Sequence, residues 1–192
     1  MDSKILKIAE NHFVNGNKVK PPYPDNHNRL IVGMGCFWGV ERMFWQQEGV
    51  YSTSAGYSAG KTTDPTYRDI CTGTTGHAEV VLIIYDSQLI DLGQLLEIFW
   101  EGHDPTQYMR QGNDVGSQYR SIIFYDDDDA HDKIESSRNQ YQTQLSKAGF
   151  GEIVTEIKAS EEFFYAEDYH QQYLAKNPGG YCGLGGTGIK CT

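Results

Sequence analysis

The chain is poor in cysteine. Its 192 residues hold four, at Cys36, Cys71, Cys182 and Cys191. Four are too few for a disulfide scaffold at this length. No two stand at the C-x-x-C spacing of a zinc ribbon or a thioredoxin-like motif. Long apolar runs are also missing. The longest is Val80 to Tyr85 (VVLIIY), far short of the roughly 20 residues a membrane span requires, and the mean hydropathy is −0.55. Positive charge is scarce: 16 Lys and Arg stand against 26 Asp and Glu, a net charge of −10. That excludes a general nucleic-acid binder, because phosphates would be repelled. No basic segment followed by an apolar one opens the sequence, so no secretory signal is visible and a cytoplasmic location is expected. Thiols are kept reduced there, and a disulfide that forms is catalytic rather than structural.

What is present fits one α+β domain. This length buries roughly 70% of the unfolded chain's surface, enough for a core without covalent staples. Residues 1–28 read as an extended polar arm, either laid on the domain or loose, because Lys20-Pro21-Pro22-Tyr23-Pro24 disfavours helix. Residues 29–176 form the domain proper. Arg29 to Gly33 reads as a strand. Apolar residues at 37, 40 and 44 predict a helix to about Gln47, and Val50 to Tyr57 a second strand. A loop to about Gly76 leads to the continuously apolar Val80 to Tyr85, a strand covered on both faces. Asp91 caps a helix with Leu92, Leu95, Leu96 and Phe99 on one stripe. A polar loop from His103 to Gln118, a strand at 119–125, a helix entered through Asp126 to Asp129 and stopped by Gly149, and a strand at 153–158 complete the order. This is the split-βαβ (ferredoxin-like) order, a mixed sheet with helices on one face. Glycine, 21 residues, is in excess, at about 11% against a usual ~7%. Six glycines fall within 179–188. The tail, 177–192, is expected to be mobile and to pack no core, with Cys191 at a solvent-exposed end.

Gly33-Met34-Gly35-Cys36-Phe37-Trp38-Gly39 lies where a strand turns into a helix. Free N–H groups and the helix dipole then point at the Cys36 sulfur and favour its thiolate. The other reading is a buried structural cysteine. A dinucleotide loop is opposed by the bulk of Cys-Phe-Trp and by the missing acidic residue after a second strand. Gly183 to Gly188 matches G-x-G-x-x-G, but no strand precedes it and no helix has room to follow. His77-Ala78-Glu79 lacks the P-C-x-x-C partner of a zinc deaminase, so no metal site is expected. Glu79 precedes the apolar strand, where burial raises a carboxyl and suits it to general-acid work; an ordinary strand-end carboxylate is the alternative. Tyr67, Tyr119 and Asp114 carry no signal as isolated residues.

Taken together, the motifs resemble the A-type peptide methionine sulfoxide reductases. The residues that carry the resemblance are Gly35-Cys36-Phe37-Trp38-Gly39-Val40-Glu41, Thr66-Tyr67-Arg68, Gly76-His77-Ala78-Glu79, Phe99-Trp100-Glu101, Arg110 to Asp114, Gln118 to Ser121, Tyr165 to Leu174 and Asn177-Pro178. It runs in order from about Leu30 to Cys191.

The resemblance implies reduction of the S epimer of methionine sulfoxide, free or within oxidised proteins. By matching position, Cys36 is the nucleophile and Glu79 the acid. Tyr67 and Tyr119 bond the sulfoxide oxygen, Phe37 and Trp38 hold the methyl group, and Asp114 supports the site. Cys182 resolves the sulfenic acid, Cys191 recycles it, and thioredoxin, or dithiothreitol in vitro, is the reductant. Cys71 is a bystander. No bound cofactor, metal, nucleic acid or membrane is implied, and a monomer is expected. A thiol peroxidase or disulfide oxidoreductase leaves the aromatic pair and Glu79 unexplained. A non-catalytic redox-sensing module predicts lost site residues, and all the matched ones are present.

Overall fold

The computed structural model describes residues 8–191; the first seven residues of the expected arm and Thr192 lie outside them. Strands β1 (His27–Met34), β2 (Val50–Ser58) and β3 (Ala78–Asp86) alternate with helix α1 (Phe37–Trp45) and the one-turn helix α2 (Tyr67–Ile70). Helix α3 (Leu92–Gly102), a small hairpin of β4 (Arg110–Gln111) and β5 (Asp114–Val115), and a 3-10 turn at Ser117–Tyr119 lead into β6 (Ser121–Tyr125). Helix α4 (Asp128–Lys147), β7 (Glu156–Ala159), β8 (Phe164–Tyr165) and α5 (Tyr173–Lys176) follow.

The sheet runs β7-β6-β1-β3-β2-β8. Pairings are antiparallel except β6 with β7. The inner four strands have β3 inserted between β1 and β2, which is the split-βαβ arrangement the sequence order predicts. Alternation along β3 explains its unbroken apolar run. Val81, Ile83 and Tyr85 join one core cluster with Val40, Phe44, Leu95, Phe99, Trp100, Ile134, Tyr141 and Leu145 of α1, α3 and α4. Val80, Leu82 and Ile84 join a second cluster on the opposite face. Among the described residues that second face is covered without a helix: Tyr23 of the arm and Phe163 and Tyr165 pack on it.

Local signals set the helix starts. Asp91 and Gln94 form a reciprocal capping box on α3, at 2.9 and 3.0 Å, worth about 1 kcal/mol. Of the four-aspartate run, Asp127 caps α4 through the Ala130 N–H at 2.8 Å, Asp126 pairs with Arg29 at 2.7 Å and Asp129 with Lys133 at 2.7 Å. Three expectations need correction. The loop after β2 contains α2, because Thr66 and Asp69 form a capping box of their own. The polar loop before β6 folds back as the β4–β5 hairpin. Tyr119 sits in the 3-10 turn ahead of β6 rather than on the strand.

The tail also differs from expectation. Its described residues past Asn177 have no helix or strand, yet they pack. Leu184, Ile189 and Cys191 lie against the main core. The Tyr141 hydroxyl bonds Thr187 at 2.9 Å and the Ile189 carbonyl at 3.3 Å. Glu101 accepts from Lys190 Nζ at 2.6 Å and the Cys191 N–H at 2.9 Å. Glycine gives the backbone the freedom to follow this path, and a few side chains anchor it.

Candidate active site

Antiparallel pairing of β1 with β3 brings the end of one beside the start of the other. Cys36, two residues past β1, therefore meets Glu79, the second residue of β3, although 43 positions separate them in sequence. Gly35 makes the turn with φ +107°, a left-handed value that disfavours side chains, and a Cβ there would strike Gln111. Cys36 is the N-cap residue of α1. Glu79 is 2% exposed and its Oε2 accepts the Phe37 N–H at 3.1 Å. Burial pushes the Glu79 carboxyl up to about 8; the bond from Phe37 N–H pulls the other way and the Asp114 charge adds to the rise. Glu79 is thus protonated at neutral pH, as the acid reading requires.

The Cys36 sulfur departs from expectation. Burial, then the Glu79 charge, push its thiol up to about 12, although the Trp38 and Gly39 N–H groups oppose them. The resting group is a thiol. The helix N-terminus acts as the sequence suggests but is outweighed by desolvation. Part of the penalty is conditional, because it vanishes when Glu79 carries its proton.

Tyr67 opens α2 and Tyr119 closes the 3-10 turn. Both phenols are raised, first by burial and then by the Glu79 charge, so both remain protonated donors. Glu167 fixes this side: it accepts the Tyr67 N–H at 2.8 Å and the Tyr57 hydroxyl at 3.0 Å. Asp114 lies on β5 and is raised by burial; its side chain receives the Tyr181 hydroxyl at 3.5 Å.

The aromatic side divides in two. Phe37 is 1% exposed and belongs to the main core, so its ring is withdrawn from the surface. Trp38 is half-buried, stacks on Tyr173 at 3.8 Å with the rings 16° apart, and donates its indole N–H to His170 Nδ1 at 3.0 Å. That bond requires an unprotonated Nδ1, and burial holds His170 neutral by lowering it to about 4. His170, Tyr173, Glu167 and Tyr181 had no assigned role at the level of sequence. For the first three the clue lay in the Tyr165 to Leu174 run, whose aromatic and acidic residues cluster without the spacing of a helix or strand; Tyr181 lies in the tail.

The four cysteines are free thiols. Arg42 on α1 donates to Cys182 Sγ at 3.0 Å. A Cβ on Gly39 would lie 3.0 Å from that sulfur, so the missing side chain admits Cys182 to the first turn of the Cys36 helix. Cys191 is half-buried against the core rather than exposed; burial and then Glu101 push it up to about 12. Cys71 is exposed at the end of α2, beside the Tyr67 phenol. Among the described residues no group of three His, Cys, Asp or Glu side chains is placed to hold a metal ion, and no helix is long and apolar enough to cross a membrane. A cavity of about 470 Å³ lies elsewhere, lined by Arg29, Tyr85, Asp126, Asp129 and Lys133 among others, and touches none of these residues.

Comparison with known proteins bears on this geometry. The family model described as peptide methionine sulfoxide reductase matches residues 28–187. The chain is 57% identical over 189 residues to peptide methionine sulfoxide reductase MsrA 2 of a Nostoc species, covering 98% of this chain and 85% of that one. Among solved structures, methionine sulfoxide reductase A of Corynebacterium diphtheriae superposes with a TM-score of 0.80 at 40% identity, covering 90% of this chain and 84% of that one. Mxr1 of Saccharomyces cerevisiae in reduced form superposes with a TM-score of 0.79 at 31% identity, covering 87% and 94%. Mxr1 in complex with Trx2 shares the fold, with a TM-score of 0.57 at 21% identity and coverage of 82% and 91%.

Proposed function

The chain belongs to the peptide methionine sulfoxide reductase family, and from that premise we propose that its Cys36 pocket reduces the S epimer of methionine sulfoxide, free or within oxidised proteins. The observation that carries this reading is the buried, proton-holding Glu79 bonded to the first turn of the Cys36 helix. A sulfoxide sulfur becomes electrophilic when its oxygen is protonated. Glu79 supplies that proton, and Tyr67 and Tyr119 stabilise the charge developing on oxygen. The methyl group rests on Trp38, with Phe37 behind it. A pocket polar on one side and aromatic on the other accepts one epimer.

The electron count closes. As the Cys36 sulfur attacks, its proton leaves and restores Glu79. Methionine sulfur is reduced by two electrons, Cys36 sulfur is oxidised by two, and the oxygen ends on Cys36 as a sulfenic acid. A protonated Glu79 also lifts the charge that opposes the Cys36 thiolate, so one group serves both atoms. Cys182, held by Arg42 beside that helix, displaces water to give a Cys36–Cys182 disulfide. Cys191 then exchanges to a Cys182–Cys191 disulfide, and a dithiol partner of the thioredoxin class reduces it. The yeast Mxr1 complex with Trx2 supports that choice of partner. Asp114 supports the pocket through its bond to Tyr181. Residues 29–176 act as the catalytic unit and 177–192 as the relay tail, in a monomer working without a bound cofactor in the cytoplasm, a reducing compartment where the four thiols stay free.

The test is to present each sulfoxide epimer to the protein with dithiothreitol and measure methionine. The S epimer is consumed. Consumption of the R epimer alone would overturn the reading.

A further inference from the structure

The arm ahead of β1 reaches the catalytic side of the molecule. His12 is 1% exposed. Its Nδ1 accepts the Val14 N–H at 3.3 Å, so Nε2 carries the hydrogen and donates to Thr53 Oγ1 at 2.9 Å. Thr53 in turn donates to Glu41 Oε1 at 3.1 Å. Glu41, fully buried on α1, also accepts the Gln172 N–H at 2.7 Å and its side-chain amide at 2.6 Å. The Gln172 side-chain oxygen receives the Phe13 N–H at 3.1 Å, which returns the circuit to the arm. Nearby, the Ala9 N–H donates to Asp168 at 2.7 Å. Neither Glu41 nor His12 takes part in the sulfoxide chemistry, yet His12, Thr53, Glu41 and Gln172 are all buried.

Gln172 gives the circuit its consequence. Its φ is +47° and ψ 41°, a left-handed conformation that costs a non-glycine residue about 1 kcal/mol or more. The bonds to Glu41 and Phe13 hold it there. The turn made at Gln172 aims Tyr173 at the face of Trp38 and sets His170 to receive the Trp38 indole N–H. A continuous bonded path therefore joins the arm to the residue read as the methyl wall.

We propose that residues 8–19 are a strap that sets the position of Trp38 through the turn at Gln172, with His12 as a positioning residue. The strap lies N-terminal to the segment matched by the family model. Its effect on catalysis, though not its effect on the indole, rests on the reading of Trp38 under the proposed function.

The test uses the full chain with His12→Ala, and with His12→Gln, whose amide can still donate to Thr53. Two quantities are read: the nitrogen-15-correlated indole N–H resonance of Trp38, identified by its loss in Trp38→Phe, and KM against kcat for the S sulfoxide. In His12→Ala the Trp38 resonance moves and KM rises roughly tenfold with a smaller change in kcat, below the ~100-fold that a 1 Å misplacement can cost. His12→Gln restores both. An unmoved Trp38 resonance in a folded His12→Ala protein would overturn the strap, even if its melting temperature fell. A moved resonance with unchanged KM would uphold the strap and sink the reading of Trp38 as the methyl wall. Should His12→Ala fail to fold, Thr53→Val cuts the same path one step further along, with the same two outcomes.

Discussion

Glu79 stands on β3, paired on both edges in the sheet, and Cys36 caps α1 two residues past β1, whereas the described residues around Cys182 and Cys191 have neither helix nor strand. The difference matches the two kinds of chemistry proposed for them. Oxygen transfer needs a proton donor, two phenols and a sulfur fixed around one small group, and a misplacement of an ångström is expensive. Disulfide exchange needs one sulfur to travel, because a thiol must approach its partner along the S–S axis and then withdraw. The tail therefore has anchors that can be released one by one: Arg42 at Cys182, Tyr141 at Thr187 and Ile189, and Glu101 at Lys190 and Cys191. The pocket shares one tail contact, the Tyr181 hydroxyl on Asp114; Cys36 and Glu79 are instead placed by the β1–β3 pairing.

Substitutions in the two regions should separate accordingly. The largest effect is expected from Cys36→Ser, which removes the nucleophile and should lower sulfoxide reduction by about 10³-fold or more with any reductant; methionine formation with dithiothreitol measures it. Glu79→Gln should slow methionine release about 100-fold in a single turnover. Its pH profile carries the sign: the acid must hold its proton, so the parent rate is flat below pH 8 and falls above about 8, and the variant loses that descending limb. Because the folded state holds this proton between the ordinary carboxyl value of 4.5 and about 8, the stability it contributes is lost as pH rises across that window. Glu79→Gln should therefore melt higher than the parent above pH 8.

Substitutions in the tail or at its anchors should leave the first turnover intact. Cys182→Ser is expected to release one equivalent of methionine per protein and then stall with thioredoxin, which a rapid-quench burst experiment reads directly. Arg42→Gln should preserve the burst and slow disulfide formation about tenfold, the scale of one charge-assisted hydrogen bond. Tyr141→Phe is the smallest change, about 1 kcal/mol of tail anchoring, visible as faster proteolysis near Thr187 at unchanged burst amplitude. A lost burst in any of the three would erase the division between rigid pocket and releasable tail.

The same division marks what could be read from residues alone. The β1–α1 junction was legible because an apolar strand, a glycine turn and a 3.6-residue period follow one another between Arg29 and Phe44. β3 was legible because an unbroken apolar run needs cover on both faces, and both core clusters provide it. The cover on the second face was not, since irregular chain from the arm and a two-residue strand at Phe164–Tyr165 are too short to leave a periodic trace. The protonation of Cys36 was not legible either. The helix terminus is a local property that sequence displays, but burial and the facing Glu79 arise from a pairing 43 residues apart. His170 and Tyr173 escaped assignment for the same reason, because what they do depends on a left-handed turn at Gln172 held by Glu41 and the arm. The tail's packing was hidden by its composition. Glycine content predicts freedom, while the anchors are single contacts with Arg42, Glu101 and Tyr141 on distant helices.

The central claim is that Cys36 takes the oxygen and the tail comes afterwards. Its most direct test is one turnover of the Cys182→Ser protein with methionine S-sulfoxide carrying oxygen-18, without added thiol, followed by mass spectrometry of the cysteine peptides. The account predicts the heavy oxygen on the peptide containing Cys36 as its sulfenic acid. Heavy oxygen on the Cys71 or Cys191 peptide, with Cys36 still a thiol, would contradict it.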